Sequence, residues 1–428
     1  MDWKIKRASK MTGDMTVPPD KSVSHRAVMF GSISKGKVRV RNFLFGEDCM
    51  RTLEAFQAMG VEINQEENNL TIHGKGLRGL KAPQKSLYMG NSGTTMRIIS
   101  GILAGQDFPT ELTGDDSLSA RPMRRIVDPL KEMGANISTL NGDLPPIKID
   151  PAEGPLRPVS YTTPIASAQV KSCVLSAGLY AEGTTSLTEP FQSRDHTERM
   201  LEYLSADIKR EGLTTSITGP KELKPKDMDI PGDISSASFF IVGALLVKSS
   251  YLILKSVGLN PTRCGIINVL KRMGGKIDIL DQRGGAEPVG DLKVTSSELK
   301  GTTVEAEEIP LLIDEVPVLI VAAAMAEGET RIHGVSELRV KEADRVKSMT
   351  DNLSNLGVKI AEEGDSLIIS GGCNKFGSAD LNSFGDHRTA MSMAIAALVS
   401  DSECLIRNVD CVNTSYPGFL EDLEHLTS

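Results

Sequence analysis

Polar and apolar positions recur along this chain at long range. Five segments, TLEAFQAMGVEI, IVDPLKEMGANI, MLEYLSADI, IINVLKRMGGKI and MTDNLSNLGVKI, place apolar residues at helical spacing. Four of them end at glycine, which suits the left-handed residue that closes a helix, and each runs into a strand-like stretch. The markers are Gly60, Gly134, Ala206, Gly274 and Gly357, with gaps of 74, 72, 68 and 83 residues. A further step of ~70 residues reaches FLEDLEHL, so the pattern predicts six amphipathic helices.

A second family recurs in the same phase: KSVSHRAVMFGSI, NSGTTMRIISGIL, SAQVKSCVLSAGL, DISSASFFIVGALL, DEVPVLIVAAAMA and DHRTAMSMAIAAL, beginning at 21, 91, 167, 233, 314 and 386. Each opens on polar residues and continues apolar on most sides, as a buried helix does. Strand-like segments such as KVRVRNF, TTSLTEP, ETRIHGV and ECLIRNV follow several of them. Six repeats, each with one buried helix, one amphipathic helix and several short strands, predict an α/β (α+β) fold. The simplest packing is two lobes of three repeats, helices inside and sheets around them. No Pro/Gly/Ser-rich linker is visible. PKDMDIPGD (225–233) is the best boundary.

Bulk properties narrow the functional classes. At 428 residues the chain is too long for one ordinary core. The balance of 48 Lys+Arg against 56 Asp+Glu, with no long basic stripe interleaved with aromatics, argues against nucleic-acid binding. The six cysteines form no CxxC pair and no His stands at zinc-ligand spacing from them, so reduced structural thiols and no metal are expected. MDWKIKRASK has no apolar signal core. FFIVGALLV and VPVLIVAAAMA are shorter than the ~20 residues that cross a bilayer. A cytoplasmic protein with no membrane partner is expected.

Within this acidic chain, cations gather at the openings of the buried helices. Helix N-termini attract anions through unpaired N–H groups and the helix dipole. PPDKSVSHR offers Lys21, Ser22 and Arg26. GNSGTTMR sets Gly90 and Gly93 beside small hydroxyls, and Arg121 follows in LSARPMRR. SAQVKS offers Ser167, Gln169 and Lys171, with Arg194 and His196 downstream in SRDHTER. In the second half, RVKEADR brings Lys341, Glu342 and Arg345, and DHR brings His387 and Arg388. The competing reading of each is structural: Ser22, Asp20, Asp233 or Asp314 as helix caps, with the cations in solvent. Asp314 stands between PLLI and VPVLIV, and apolar surroundings would disfavour its charged form and suit a proton-transfer group. GSISKGKV (31–38) is nearly a nucleotide loop, but it follows a helix and lacks the final Ser/Thr. Seven cations at or near repeat openings, Lys21, Arg26, Arg121, Arg194, Lys341, Arg345 and Arg388, point to a small, multiply anionic substrate, or to two of them.

PPDKSVSHR, GNSGTTMR, RVKEADR and DHRTAM, in this order, resemble the 5-enolpyruvylshikimate-3-phosphate synthase family, with the likeness running from about residue 8 to residue 419. The resemblance implies a two-lobed fold of six βαβαββ-type units, three per lobe. Residues 1–19 and 231–428 would form the C-terminal lobe and 20–230 the N-terminal lobe, with the active site in the cleft between. It implies transfer of the enolpyruvyl group of phosphoenolpyruvate to the 5-hydroxyl of shikimate 3-phosphate, by addition and elimination, on the way to chorismate and the aromatic amino acids. No metal or cofactor is implied, and a monomer is expected, with glyphosate as a candidate inhibitor. By motif, shikimate 3-phosphate would meet Lys21, Ser22, Arg26, Ser167, Gln169, Arg194, Asp314 and Lys341. Phosphoenolpyruvate would meet Lys21, Gly93, Arg121, Gln169, Arg345 and Arg388. Asp314, Glu342 and Lys21 would be catalytic: Asp314 takes the proton of the 5-hydroxyl, and Glu342 moves a proton at the methylene carbon.

Two positions depart from the family pattern. Ala168 stands where many relatives have a second serine before the glutamine, and Thr414-Ser415 carry no charge where some relatives have a lysine. The rivals are a sister enolpyruvyl transferase acting on UDP-N-acetylglucosamine, whose reactive cysteine has no counterpart in TGDDSLSARPM, and a non-catalytic repeat protein that binds an anionic metabolite.

Overall fold

The computed structural model describes residues 1–373 and 375–428. The six buried helices are Lys21–Ser32, Gly93–Leu103, Ala168–Gly178, Ile234–Leu246, Val316–Met325 and His387–Ala397. Their composition explains their place. Every side chain of Ile234–Leu245 is buried, as is every one of Val316–Ala324, so the helical backbone satisfies its own polar groups while apolar atoms leave water on all sides. Burying each such Leu, Ile or Phe contributes roughly 1.5–3 kcal/mol.

The amphipathic helices are Glu47–Ala58, Arg124–Glu132, His196–Tyr203, Gly265–Arg272, Arg345–Asn355 and Phe419–Thr427. Gly60, Gly134, Gly274 and Gly357 follow four of them at φ of 83°, 87°, 97° and 89°, the left-handed conformation glycine adopts without strain. The third repeat corrects the sequence reading. The left-handed residue there is Ser205 at φ 71°, one position before the expected Ala206.

Among the described residues, strand order is the same in five of six sheets. A short leading strand pairs parallel with a second, which pairs antiparallel with a fourth, and the third lies outside that fourth. Leu87–Tyr88, Thr110–Thr113, Leu144–Asp150 and Asn136–Asn141 lie side by side in this way, with Leu87 opposite Leu112 and Thr110 opposite Ile149. Ser160–Thr162, Gly183–Thr188, Thr214–Gly219 and Asp207–Glu211 repeat it. In the first repeat the leading strand is borrowed: Met228–Asp229 pairs with Val40 and Arg41 of the strand Lys35–Arg41. That strand takes up the second half of the near-nucleotide motif, which begins as a helix end. The chain start lends strands too. Thr12–Thr16 pairs parallel with Tyr251–Gly258, and Trp3–Ile5 pairs antiparallel with Cys404–Arg407.

The chain forms two compact units. One comprises Met1–Pro18, Gly232–Gly284 and Pro288–Ser428; the other comprises Pro19–Pro231 with Gly285–Glu287. Nothing in the sequence singles out the tripeptide 285–287. Among the described residues, each unit has its own apolar core and three sheets. In the first, Trp3 stacks on Phe419 at 5.6 Å, and Phe239, Phe240 and Tyr416 also pack on Phe419, fixing the chain start against the last helix. In the second, Gly101 lets two buried helices meet: a Cβ there would lie 2.1 Å from the Cys173 carbonyl oxygen, so Gly101→Ala would force Gly93–Leu103 and Ala168–Gly178 apart. The six cysteines are free thiols, and among the described residues no helix is long and apolar enough to cross a membrane.

Candidate active site

In the unit that holds residues 19–231, Asp20 caps the first buried helix, its carboxylate accepting from the Val23 N–H at 2.9 Å. The two cations after the cap do not form a solvated face. Lys21 is paired with Asp48. Arg26 is 3% exposed; it donates from Nε to Thr197 Oγ1 (2.7 Å), from Nη2 to Ser172 Oγ (2.9 Å) and from Nη1 to the Ser22 carbonyl (3.0 Å). Burial lowers the Arg26 pKa to about 10, against the pull of Glu198, Asp20 and Glu287, which leaves it charged at neutral pH. Beside it, His25 Nδ1 lies 2.6 Å from Thr52 Oγ1. The chain of hydroxyls continues from Thr52 to Thr95 (2.7 Å) and from Thr95 to Ser92 (2.6 Å), linking three helices. Burial pushes His25 down to about 3, so the imidazole is neutral.

The second and third openings of this unit meet through their side chains. Arg97 Nη1 donates to Gln169 Oε1 at 2.7 Å, and Gln169 Nε2 donates to Thr94 Oγ1 at 3.0 Å. Arg121 Nη2 donates to Asn91 Oδ1 at 2.6 Å. Gly93 faces both guanidiniums: a Cβ there would lie 2.9 Å from Arg97 Nη1 and 3.5 Å from Arg121 Nη1. Gly93, Arg121 and Gln169 are thus brought together, with Arg97, Thr94 and Asn91 added. The signal for Arg97 was its place at the end of GNSGTTMR, one turn into a helix that opens on glycine. Ser167 caps the third helix through Val170 N–H (3.4 Å), and its own N–H donates to Glu189 Oε1 (3.0 Å). Arg194 precedes His196–Tyr203 and is close enough to Arg26 to lower its pKa. His196 Nδ1 lies 2.7 Å from Glu287 Oε1, both buried.

In the other unit RVKEADR is a charge lock. Asp344 caps Arg345–Asn355 and accepts from Arg339 Nη1 at 3.2 Å. Arg345, 2% exposed, donates from Nε to Asp386 (2.8 Å), from Nη1 to Asp314 (3.0 Å) and from Nη2 to Glu342 (2.6 Å). Three of its five N–H donors are therefore taken by carboxylates. Burial alone would lower its pKa, but Asp386, Glu342 and Asp314 outweigh burial and hold it above the usual arginine range. Burial would raise Asp386, and Arg345 outweighs that, holding the carboxylate below its usual range. Arg388 Nη1 donates to the Asp314 carbonyl at 3.2 Å, and its Nε is 3.6 Å from Asp314 Oδ1. Lys341 is half-buried next to Glu342.

The apolar setting expected for Asp314 is corrected here. Its sequence neighbours are apolar, but two guanidiniums stand beside its carboxylate, and Asp314 is not the cap of Val316–Met325. The fully buried carboxylate is its neighbour Glu315, bonded to Ser235 and 3.5 Å from Arg263, which also reaches Asp233 at 3.1 Å. Asp386 was missed as a site residue. Its signal was the polar start of DHRTAM, where it caps the helix through the N–H groups of Arg388 (2.7 Å) and Thr389 (3.3 Å). At the uncharged departure near the C-terminus, Thr414 Oγ1 donates to the Cys411 carbonyl at 2.7 Å, and Ser415 Oγ is buried without a hydrogen-bond partner among the described residues. No group of three or more His, Cys, Asp or Glu among the described residues could hold a metal ion.

Comparison with known proteins agrees with these motifs. The family model "EPSP synthase (3-phosphoshikimate 1-carboxyvinyltransferase)" matches residues 5–423. A 3-phosphoshikimate 1-carboxyvinyltransferase from Hydrogenovibrio crunogenus is 49% identical, covering 98% of this chain and 96% of its own. One from Geobacter metallireducens is 48% identical over 100% and 99%. The 2.37 Å structure of EPSP synthase from Acinetobacter baumannii superposes with a TM-score of 0.91 at 45% identity, covering 100% of this chain and 98% of that one. The enolpyruvyl transferase NikO from Streptomyces tendae shares the fold with a TM-score of 0.77 at 20% identity over 99% and 96%. The motifs, the six-repeat architecture and full-length relatives at nearly half identity together place this chain in the EPSP synthase family.

Proposed function

We propose that this chain transfers the enolpyruvyl group of phosphoenolpyruvate to the 5-hydroxyl of shikimate 3-phosphate, releasing phosphate, as a step toward the aromatic amino acids. Family membership supports the reaction. The observation that carries the residue roles is the Arg345 lock, which holds Asp314 and Glu342 in contact with one buried guanidinium.

In this reading Lys21, Ser22, Arg26, Ser167, Gln169, Arg194 and Lys341 hold shikimate 3-phosphate. Lys21, Gly93, Arg121, Gln169, Arg345 and Arg388 hold phosphoenolpyruvate, with Arg97 added because it shares Gln169 and faces Gly93. Asp314 accepts the proton of the 5-hydroxyl as the oxygen attacks the central carbon of phosphoenolpyruvate. Glu342 delivers a proton to the methylene carbon, giving a tetrahedral adduct with a methyl group. Removal of a proton from that methyl and departure of phosphate then restore the double bond. Asp314, which must accept a proton, gains from the neighbouring guanidiniums; Glu342 enters as the carboxylic acid, gives its proton to the methylene carbon and takes one back from the methyl group as phosphate departs. The remaining finer readings are a monomer, a cytoplasmic location and glyphosate as an inhibitor competing with phosphoenolpyruvate beside Gly93.

Phosphate release with both substrates tests the reading. Release is expected only when phosphoenolpyruvate and shikimate 3-phosphate are both present, and not when UDP-N-acetylglucosamine replaces the latter. Asp314→Asn and Glu342→Gln should each lower turnover by about 10²–10⁴-fold while binding of shikimate 3-phosphate alone changes little. Near-normal turnover in either variant removes that residue from the mechanism.

A further inference from the structure

The opening that carries Ser167 rests on a buried ion cluster to which the reaction above gives no role. Lys171, 1% exposed, donates from Nζ to Glu189 Oε2 at 2.6 Å and lies 2.9 Å from Glu198 Oε1, both carboxylates equally buried. Glu189 does more than neutralise the ammonium. Its Oε1 accepts from the Ser167 N–H at 3.0 Å, and its Oε2 accepts from the Ser193 N–H at 3.4 Å. Lys171 closes the loop by donating to the Ser193 carbonyl at 3.4 Å. One carboxylate thus ties two stretches far apart in sequence: the cap residue Ser167 and the segment Ser193-Arg194.

We propose that Glu189, locked by Lys171, is a positioning residue that sets the spacing between the Ser167 opening and Arg194, and so the shape of the site for the phosphorylated sugar. The proposal rests on the reading that Ser167 and Arg194 meet shikimate 3-phosphate. The residue types fit the task. An ionised carboxylate accepts from two backbone N–H groups and an ammonium at once, whereas an amide keeps only one accepting oxygen. A buried ion pair is weak evidence for stability, since apolar residues of similar volume often stabilise as well or better. Geometry is what the charged pair adds. Glu198 serves as an internal control: it pairs with Lys171, and neither Ser167 nor Ser193 bonds to it. Burial pushes its carboxyl up, while Glu198 and Glu189 together hold Lys171 above its usual range despite burial.

The test compares Glu189→Gln, Glu189→Asp, Glu198→Gln and Ser167→Ala by steady-state kinetics and melting temperature. A displacement of about 1 Å at a binding group can cost on the order of 10²-fold. Both Glu189 variants are therefore expected to raise KM for shikimate 3-phosphate by roughly 10- to 100-fold, with KM for phosphoenolpyruvate nearly unchanged. Glu189→Asp keeps the charge beside Lys171 and only shortens its reach, so it reports even if Glu189→Gln fails to fold. Glu198→Gln should lower the melting temperature and, since Glu198 acts on Arg26 only through charge, move that KM less than either Glu189 variant does. If Ser167→Ala raises KM while both Glu189 variants do not, or if Glu198→Gln raises KM as much as they do, the positioning role is overturned. A KM unmoved by Ser167→Ala overturns instead the substrate assignment on which the proposal stands.

Discussion

Arg26 and Arg345 are both buried guanidiniums at helix openings, and the protein treats them in opposite ways. Arg26 bonds to two hydroxyls and a carbonyl, and burial lowers its pKa to about 10. Arg345 bonds to three carboxylates and is held above its usual range. Neutral partners position a cation without spending its charge, which leaves that charge for an anionic ligand. Carboxylate partners neutralise the charge, and what they gain is a fixed place around it. The first arrangement leaves a cation able to meet an anion, and the second holds carboxylates around a neutralised cation. The cations and acids packed into RVKEADR make sense on these terms: Arg345 is neutralised by Glu342 within the motif and by Asp314 and Asp386 outside it.

The largest effect is expected from removing the two arginines in parallel. Arg345→Met leaves Asp386, Asp314 and Glu342 without their shared cation, and breaking a buried pair in this way costs about 3–5 kcal/mol. Arg26→Met frees Ser172 and Thr197, which already bond to each other at 2.7 Å, so its cost should be nearer 1–2 kcal/mol. Chemical denaturation of both variants measures the gap, and equal costs would erase the distinction between the two sites.

Acid titration sharpens the neutral side of the comparison. His25 in the folded chain has a pKa of about 3 against an ordinary 6.5. The unfolded chain therefore binds a proton between those values that the folded chain refuses. The contribution of His25 is fully present above pH 6.5 and is lost as pH falls toward 3, by at most about 1.36 kcal/mol per pH unit and roughly 2 kcal/mol by pH 5. In His25→Gln the fall of stability over this range should be shallower by about one proton. An unchanged slope would mean the ring is protonated in place.

The smallest effect belongs to Gly93→Ala. The added methyl meets the guanidinium ends of Arg97 and Arg121, which can shift. We expect KM for phosphoenolpyruvate to rise about tenfold, or ~1.4 kcal/mol, and the glyphosate inhibition constant to rise more. Equal changes in the two would make Gly93 a turn residue only.

The sequence alone carried the repeat and most of the motif residues. Apolar periodicity placed all six buried helices to within about two residues of their starts, because a helix with no polar face has only a core to occupy. The glycines after four amphipathic helices marked their ends for a local reason, the left-handed φ, and the one miss, Ser205 in place of Ala206, fell where glycine was absent. What tertiary structure decided was the company each charge keeps. Asp314 reads as a carboxylate among apolar neighbours, and only folding brings Arg345 and Arg388 to it from 31 and 74 residues away. Glu189 follows the strand-like run of TTSLTEP with no chemical signal of its own, and only the fold shows it bonded to Ser167 and Lys171. Helix and strand signals are local in sequence and can be read there. The pKa of a carboxylate, or the use of an arginine, depends on charges within a few ångströms in space, and the chain order of this protein scatters those across its repeats.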